Sequence, residues 1–122
     1  MAYHSYEELD VWKRGTQVAI RVYELLEGCR DFGLKDHMTR AAVSIPSNIA
    51  EGAERDSVKE FIRYLHIAKG SAGELRTQVY IAHKVHLVSL EEFQELSDDL
   101  VTISRKAHKL IEYLKKNLKP KT

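Results

Sequence analysis

The sequence is poor in residues that interrupt regular secondary structure, and poor in cysteine. Its 122 residues include two prolines, six glycines and one cysteine. Scarce proline and glycine disfavour a loop-rich β protein, and a lone Cys29 excludes an internal disulfide, which favours a reducing compartment. No run approaches the roughly 18 apolar residues of a membrane span, and the N-terminus lacks a signal peptide's apolar core. We therefore expect a cytoplasmic protein with no membrane association.

An excess of one charge is also lacking. Lysine and arginine total 19 and aspartate and glutamate total 18, for a net charge of +1. This total does not resemble that of a strongly basic nucleic-acid-binding domain. Hydrophobic residues make up 43% and charged residues 30%, which is typical of a folded globular protein. Because this length fits one domain that folds without disulfide or metal, we predict a single domain over residues 1–122.

What is present is helical periodicity, in four segments separated by short breaks. Within each segment, apolar residues recur at spacings of three and four. The segments run from about Glu7 to Glu27, Leu34 to Ala50, Ser57 to Val85, and Ser89 to an expected end at Asn117 and Pro120. Short connections make neighbouring helices antiparallel. The predicted fold class is therefore all-α, an antiparallel up-down-up-down four-helix bundle.

Local signals refine the helix boundaries. Ser57–Glu60 and Ser89–Glu92 have the pattern of capping boxes, which predicts that a helix begins at each. Pro46 lies inside the second segment and predicts a kink just before it, with a full break as the alternative. Gly52 is suited to the C-terminal stop of that helix.

Motifs for catalysis are absent from the sequence. It contains no glycine-rich phosphate loop and no Gly-x-Ser-x-Gly, and nothing indicates a base for Cys29. His83 and His86 are three residues apart and could share a metal, but two of four ligands would be missing. Their place near a helix C-terminus is better explained by the helix dipole. We predict no enzyme activity, no cofactor and no metal site.

Helix three carries two unusual features. Glu74 falls in its second apolar stripe, which predicts a buried carboxylate bonded to Arg40 or Ser44. Small residues between Ala68 and Gly73 predict that another backbone packs closely, from helix two or from another subunit. The surplus of apolar stripes indicates either self-association or a wide core face. The candidates for self-association are Tyr23, Tyr64, Ile67, Tyr80 and Ile81.

The near-zero total conceals an uneven distribution of charge. Residues 57–86 carry +3, residues 87–104 carry −5, and residues 105–122 carry +6, from seven bases and one acid. A basic helix end can bind phosphates with salt-sensitive affinity, whereas a solvated helix end is the alternative. The candidate nucleic-acid-binding residues are Arg105, Lys106, Lys109, Lys115 and Lys116, with Lys59, Arg63 and Lys69 second.

Several runs of the sequence resemble a known family. They are RAAVSIPSNIAEG at residues 40–52, KEF at 59–61, IAKGS at 67–71, GELRTQ at 73–78, and the LxVWK opening at 9–13. These runs resemble bacterial four-helix bundle proteins encoded within intervening sequences of 23S ribosomal RNA genes. The accessory variability proteins of diversity-generating retroelements are similar. The near-neutral charge favours the ribosomal RNA branch, because the retroelement proteins are basic.

The resemblance implies a homo-oligomer, a ring-like pentamer, with a role in binding RNA or DNA. For the retroelement branch it implies a reverse transcriptase as partner, and a scaffold that engages another protein is the alternative function. Asn48, Glu51 and Arg55 either hold the turn between helices two and three or line an interface. The family's motif residues correspond here to Arg40, Ser44, Pro46, Asn48, Glu51, Gly52, Arg55, Phe61, Ser71 and Glu74.

Overall fold

The computed structural model describes residues 6–116 as four helices around one hydrophobic core. After a 3-10 turn at Tyr6–Glu8, the helices are α1 (Asp10–Leu25), α2 (Phe32–Glu54), α3 (Val58–Lys84) and α4 (Leu90–Lys116). No strand occurs within this range. The predicted end of the fourth helix, at Asn117 and Pro120, lies outside the described residues.

Contacts between helices establish an antiparallel bundle. Asp10, at the start of α1, pairs with Lys106 late in α4, with 3.1 Å between the charged atoms. Arg21, late in α1, pairs with Glu95 early in α4 at 3.3 Å. Loops of three to six residues reverse the chain between consecutive helices. Because α1 and α3 each pack against both α2 and α4, the predicted up-down-up-down bundle is confirmed.

Helix α2 continues through Pro46, so the alternative of a full break is wrong. Proline removes one intrahelical hydrogen bond, but here its ring is buried against α1. A Cβ added to Gly15 would lie 3.2 Å from Ile45 Cγ2 and 3.4 Å from Pro46 Cδ. The absence of a side chain at Gly15 lets the two helices approach closely, and this packing stabilises the proline within the helix.

Gly52 does not end α2, contrary to the sequence prediction. The helix continues to Glu54, and Gly52 is not in the left-handed conformation of a glycine cap. A Cβ added to Gly52 would lie 2.6 Å from Tyr64 Cβ and 3.1 Å from Phe61 Cδ1. The sequence has glycine here because α3 packs directly over this turn of α2.

The predicted N-terminal caps of α3 and α4 are present. The Ser57 hydroxyl accepts a hydrogen bond from the Glu60 amide at 3.2 Å, but the Glu60 carboxylate binds Arg63 instead of completing the box. At α4 the box is complete. The Ser89 hydroxyl accepts from the Glu92 amide at 3.0 Å, and the Glu92 carboxylate accepts from the Ser89 amide at 2.8 Å. These side chains satisfy amides that the helix itself leaves unpaired.

Glu74 is exposed, so its predicted burial is wrong. Each residue advances the helix by about 100°, and α3 turns the neighbouring Leu75 into the core, which leaves Glu74 outside. The two residues predicted to bond to Glu74 form other contacts. Arg40 pairs with Asp36 at 3.1 Å, and the Ser44 hydroxyl bonds to that of Ser71 at 2.8 Å.

The second apolar stripe of α3 is divided between surface and core, because Ile67 and Ile81 are exposed whereas Ser71 is buried. Ile67, Tyr80 and Ile81 are 39%, 50% and 46% exposed. Gly70 and Gly73 have no atom within 4 Å of an added Cβ, so the predicted close approach of α2 is wrong at these two positions. Helix α2 instead approaches α3 at Ser71, the residue after Gly70, which points about 100° away from it around the helix.

Candidate nucleic-acid interface

A groove between α3 and α4 brings together three of the predicted phosphate-binding residues. Lys69 on α3 faces Arg105 and Lys109 on α4. The Lys69 ammonium lies 3.4 Å from Nδ1 of His108, which accepts its hydrogen bond. On the other side of the same ring, His108 Nε2 lies 3.6 Å from the Glu112 carboxylate. We call these five residues the basic groove.

The periodicity of α4 explains this placement. Its core stripe includes Ile103, Ala107 and Ile111, all of them buried. Arg105 and Lys109 are one helical turn apart on the outer side, so both line the groove beside α3, and Lys109 also borders the surface between α4 and α1. The sequence therefore sorts apolar and basic side chains onto opposite sides of the same helix end.

Three further candidates lie at one end of the bundle. Lys115 and Lys116 belong to the last turn of α4 and Lys59 to the first turn of α3, and all three are exposed. Because α3 and α4 are antiparallel, these turns are neighbours. The positive charge of the basic groove thus continues towards this end.

Lys106 is not brought into the basic groove. It lies on the α1 side of α4 and pairs with Asp10 at 3.1 Å. Asp10 also binds Arg14 at 2.8 Å. The hydrogen bonds from Arg14 and then Lys106 lower the pKa of the Asp10 carboxyl, because both favour its ionised form. The charge of Lys106 is therefore directed to α1, although its neighbour in sequence, Arg105, faces α3.

Arg63 is likewise placed away from the basic groove. Its guanidinium donates two hydrogen bonds to the Glu60 carboxylate, at 3.1 and 3.2 Å, and lies 4.5 Å from the centre of the Tyr64 ring. The bond from Arg63 lowers the pKa of Glu60, and the bond to Glu60 raises the pKa of Arg63. Arg63 is thus part of an ion pair within α3.

A second groove on the α3–α4 face includes residues that the sequence did not indicate as a binding site. Its lining residues are Gly73, Arg76, Thr77, Tyr80, Phe93 and Ser97. The Tyr80 and Phe93 rings are in edge contact, with 5.9 Å between their centroids. The Lys84 ammonium lies 5.6 Å from the centre of the Tyr80 ring. The sequence could have indicated this groove through the four-residue spacing of Arg76, Tyr80 and Lys84, which places them on one face of a helix. We call this second groove the tyrosine groove.

The polar motif residues of α2 connect it to α3. The Asn48 amide donates to the Ser44 carbonyl and hydroxyl, both at 2.8 Å, and the Ser44 hydroxyl bonds to Ser71 at 2.8 Å. Near the turn, Arg55 donates to Glu51 at 3.1 Å and to the Tyr64 hydroxyl at 2.9 Å. The Arg55 bonds lie beside the turn between α2 and α3, whereas the Asn48 bonds lie within α2, and a role of these residues in an interface stays a prediction.

The opposite end of α4 is acidic. Glu95, Asp98 and Asp99 lie within two turns, and partial burial, followed by the nearby Glu95 carboxylate, raises the pKa of Asp99. The raised pKa of Asp99 thus reflects burial first and the neighbouring negative charge second. Together with the bases at the other end, this negative charge gives α4 a strong dipolar distribution of side-chain charge.

The histidines considered as metal ligands have other contacts. The His83 ring stacks on Phe93 with centroids 5.5 Å apart and planes 10° apart, and its Nδ1 lies 3.3 Å from the Val88 carbonyl. His86 is exposed at the end of α3. Residues 6–116 contain no cluster of three or more His, Cys, Asp or Glu side chains suited to a metal. Within the same range, no helix is both long and apolar enough to span a membrane.

Comparison with known proteins places the chain. No curated protein sequence matches it. A crystal structure at 1.70 Å of a protein of unknown function from the S23 ribosomal protein family of Bacteroides thetaiotaomicron VPI-5482 is similar, with a TM-score of 0.78. The two are 23% identical, over 83% of this chain and 97% of that one, which shows a shared fold. The model of the 23S rRNA-intervening sequence protein family matches residues 7–109. With most of the bundle inside that match, the chain belongs to the 23S rRNA-intervening sequence protein family.

Proposed function

We propose that this protein is a non-enzymatic, sequence-tolerant nucleic-acid binder that contacts phosphates through the basic groove. One observation carries the proposal: Lys69, Arg105 and Lys109 converge from two helices, and none forms an ion pair with another residue of the described range 6–116. Clustered cations that form no ion pair are suited to phosphate, because their charge is not directly neutralised, and one carboxylate, that of Glu112, borders the three cations of this groove.

The expected affinity is modest and depends on salt. Each neutralised phosphate contributes about −0.9 to the slope of log K against log salt for duplex DNA, and about −0.7 for single strands. Three groove cations, with Lys59, Lys115 and Lys116 nearby, support a few contacts. Phosphate contacts carry no sequence information, so generic RNA and DNA are suitable probes.

Replacing Lys69, Arg105 and Lys109 together by glutamine should reduce the magnitude of the salt slope by about 2 to 3. The reason is that each cation lost removes one phosphate contact and the release of its counterions. Fluorescence anisotropy with a generic RNA and a duplex DNA, over about 25 to 200 mM salt, measures the slope.

Two variants serve as controls for that measurement. Lys106→Gln removes the charge next to Arg105 in sequence, which faces α1, and should leave the salt slope of binding unchanged. A triple variant of Lys13, Arg30 and Lys35 to glutamine removes the same total charge from the part of the chain outside α3 and α4. If all variants weaken binding equally, net charge rather than the basic groove is responsible, and the proposed site is wrong.

We also propose that the protein self-associates, as the resemblance to a pentameric family implies. Ile67, Ile81 and Val85 are 39%, 46% and 54% exposed, and their spacing places them on one side of α3. Lys69 lies two residues from Ile67, about 200° around the helix, so the basic groove remains open in such an assembly.

Ile67→Lys combined with Ile81→Lys should reduce the mass in solution to that of a single chain, because two charges in an apolar contact lose their hydration. Multi-angle light scattering measures the mass, and circular dichroism checks that the helices persist. Ile20→Lys, at a 60% exposed position on α1, is the control. A wild-type protein that is monomeric at every concentration would exclude this mode. If the wild-type protein assembles but binds no nucleic acid, the better explanation of its function is a scaffold for a protein partner, such as a reverse transcriptase.

A further inference from the structure

The basic groove and the tyrosine groove lie in line on the α3–α4 face. Lys69 in the first and Tyr80 in the second are 11 residues apart on α3, which is about 16 Å along the helix axis. Arg76 lies between them and forms no ion pair with any residue from 6 to 116. A nucleic-acid strand that follows this face meets cations first and then an aromatic ring.

Tyr80 presents a fixed and accessible ring. The side chain is 50% exposed, while Phe93 supports its ring in an edge-on contact with planes 65° apart. Phe93 is held in turn by stacking on His83. Gly73 lines the same groove and has open space where a side chain would project. A planar group can therefore approach the Tyr80 ring from this groove, where the Lys84 ammonium, 5.6 Å from the ring centre, is the nearby cation.

We propose that this face selects unpaired nucleic acid, with phosphates at the basic groove and a base stacked on Tyr80. The inference rests on the proposed function and names its substrate class. Every base has a flat π face, so stacking tolerates any sequence, and cationic grooves with aromatic platforms are typical of single-strand binders. Inside a duplex both faces of each base are covered by neighbours, so Tyr80 has no internal base to stack on.

The test compares one RNA in two states. Fluorescence anisotropy at constant salt measures binding of a 20-nucleotide RNA without self-complementarity, first alone and then annealed to its complement. Wild-type protein should prefer the single strand. Tyr80→Ala should weaken single-strand binding by about 5- to 100-fold, which is the effect of losing one stacked base, and should change duplex binding less than about twofold.

Three further variants make the assignment specific. Tyr80→Phe keeps the ring and should keep the preference. Gly73→Leu fills the groove with a residue that favours helix, so it should weaken single-strand binding without loss of stability. Tyr23→Ala removes a tyrosine of similar exposure, 54%, from α1 and should have no effect.

A direct reporter completes the test. Tyr80→Trp in a Trp12→Phe background leaves one tryptophan in the chain, at the proposed stacking position. Its fluorescence should be quenched by the single strand and not by the duplex. Equal binding of both RNA states, unaffected by Tyr80→Ala but reduced by loss of Lys69, Arg105 and Lys109, would overturn this inference and leave the proposed function in place. Binding of neither RNA at about 25 mM salt, where phosphate contacts are strongest, would overturn both.

Discussion

Gly52→Ala should destabilise the protein by about 2 kcal/mol, although alanine favours helix more than glycine does. The added methyl group would lie 2.6 Å from Tyr64 Cβ and 3.3 Å from the Phe61 carbonyl oxygen. Neither atom can rotate away, because one is the carbonyl oxygen of α3 and the other is bonded directly to its backbone. Relief therefore requires α2 and α3 to separate at this turn, with loss of the packing around it. Urea unfolding followed by circular dichroism measures the free energy of unfolding.

The same substitution at two other glycines provides the control. Gly70 and Gly73 lie inside α3 with no atom within 4 Å of an added Cβ. Gly70→Ala and Gly73→Ala should each stabilise the protein, by up to about 1 kcal/mol, because alanine has the higher helix propensity. A stability for Gly52→Ala equal to or above that of the wild type would show that the helices are not in close contact at this position.

Phe61→Ala should cost about 3 to 5 kcal/mol, the largest effect that we expect from a single substitution. Phe61 is fully buried with 0% exposure, is among the largest buried side chains, and lies against Gly52 where α3 meets α2. Removing the ring loses its transfer free energy and leaves a cavity where α3 packs against α2. Denaturant midpoints, with the unfolding slope checked for constancy, give the value.

Two variants distinguish cavity formation from other effects. Phe61→Leu keeps most of the apolar volume and should lose less than Phe61→Ala. Phe32→Ala makes the same chemical change at the first residue of α2, where the ring is 72% exposed, and should stay within about 0.5 kcal/mol. Similar losses for Phe61→Ala and Phe32→Ala would contradict the position assigned to Phe61 in the core.

Much of the fold was predictable because helices depend on local information. The spacing of apolar residues identified four helices, and the hydroxyls of Ser57 and Ser89 marked the starts of α3 and α4. The end of α2 was not predictable in the same way. Gly52 has the residue type of a helix stop, and only the approach of α3 shows that it serves packing instead.

The candidate site was likewise predictable from the sequence only in part. The sequence identified a basic end of α4, but it could not tell which of Arg105 and Lys106 faces α3. Adjacent residues point about 100° apart around a helix, and the rotation of α4 against its neighbours decides where each one points. The structure turns Arg105 to α3 and Lys106 to Asp10 on α1. Tyr80 was considered only for self-association, because its position beside Phe93 depends on how α3 meets α4.

By itself, the sequence determined the all-α class, the number of helices, the serine N-caps of α3 and α4 and the segregation of charge along the chain, because these depend on residues a few positions apart. Only the tertiary structure decided which side chains meet across helices: Lys69 with Arg105, Ser44 with Ser71, and Gly52 beneath Phe61. Such contacts depend on the rotation and register of each helix against its neighbour. An error of one residue turns a helix by about 100°, which separates a groove from a buried face.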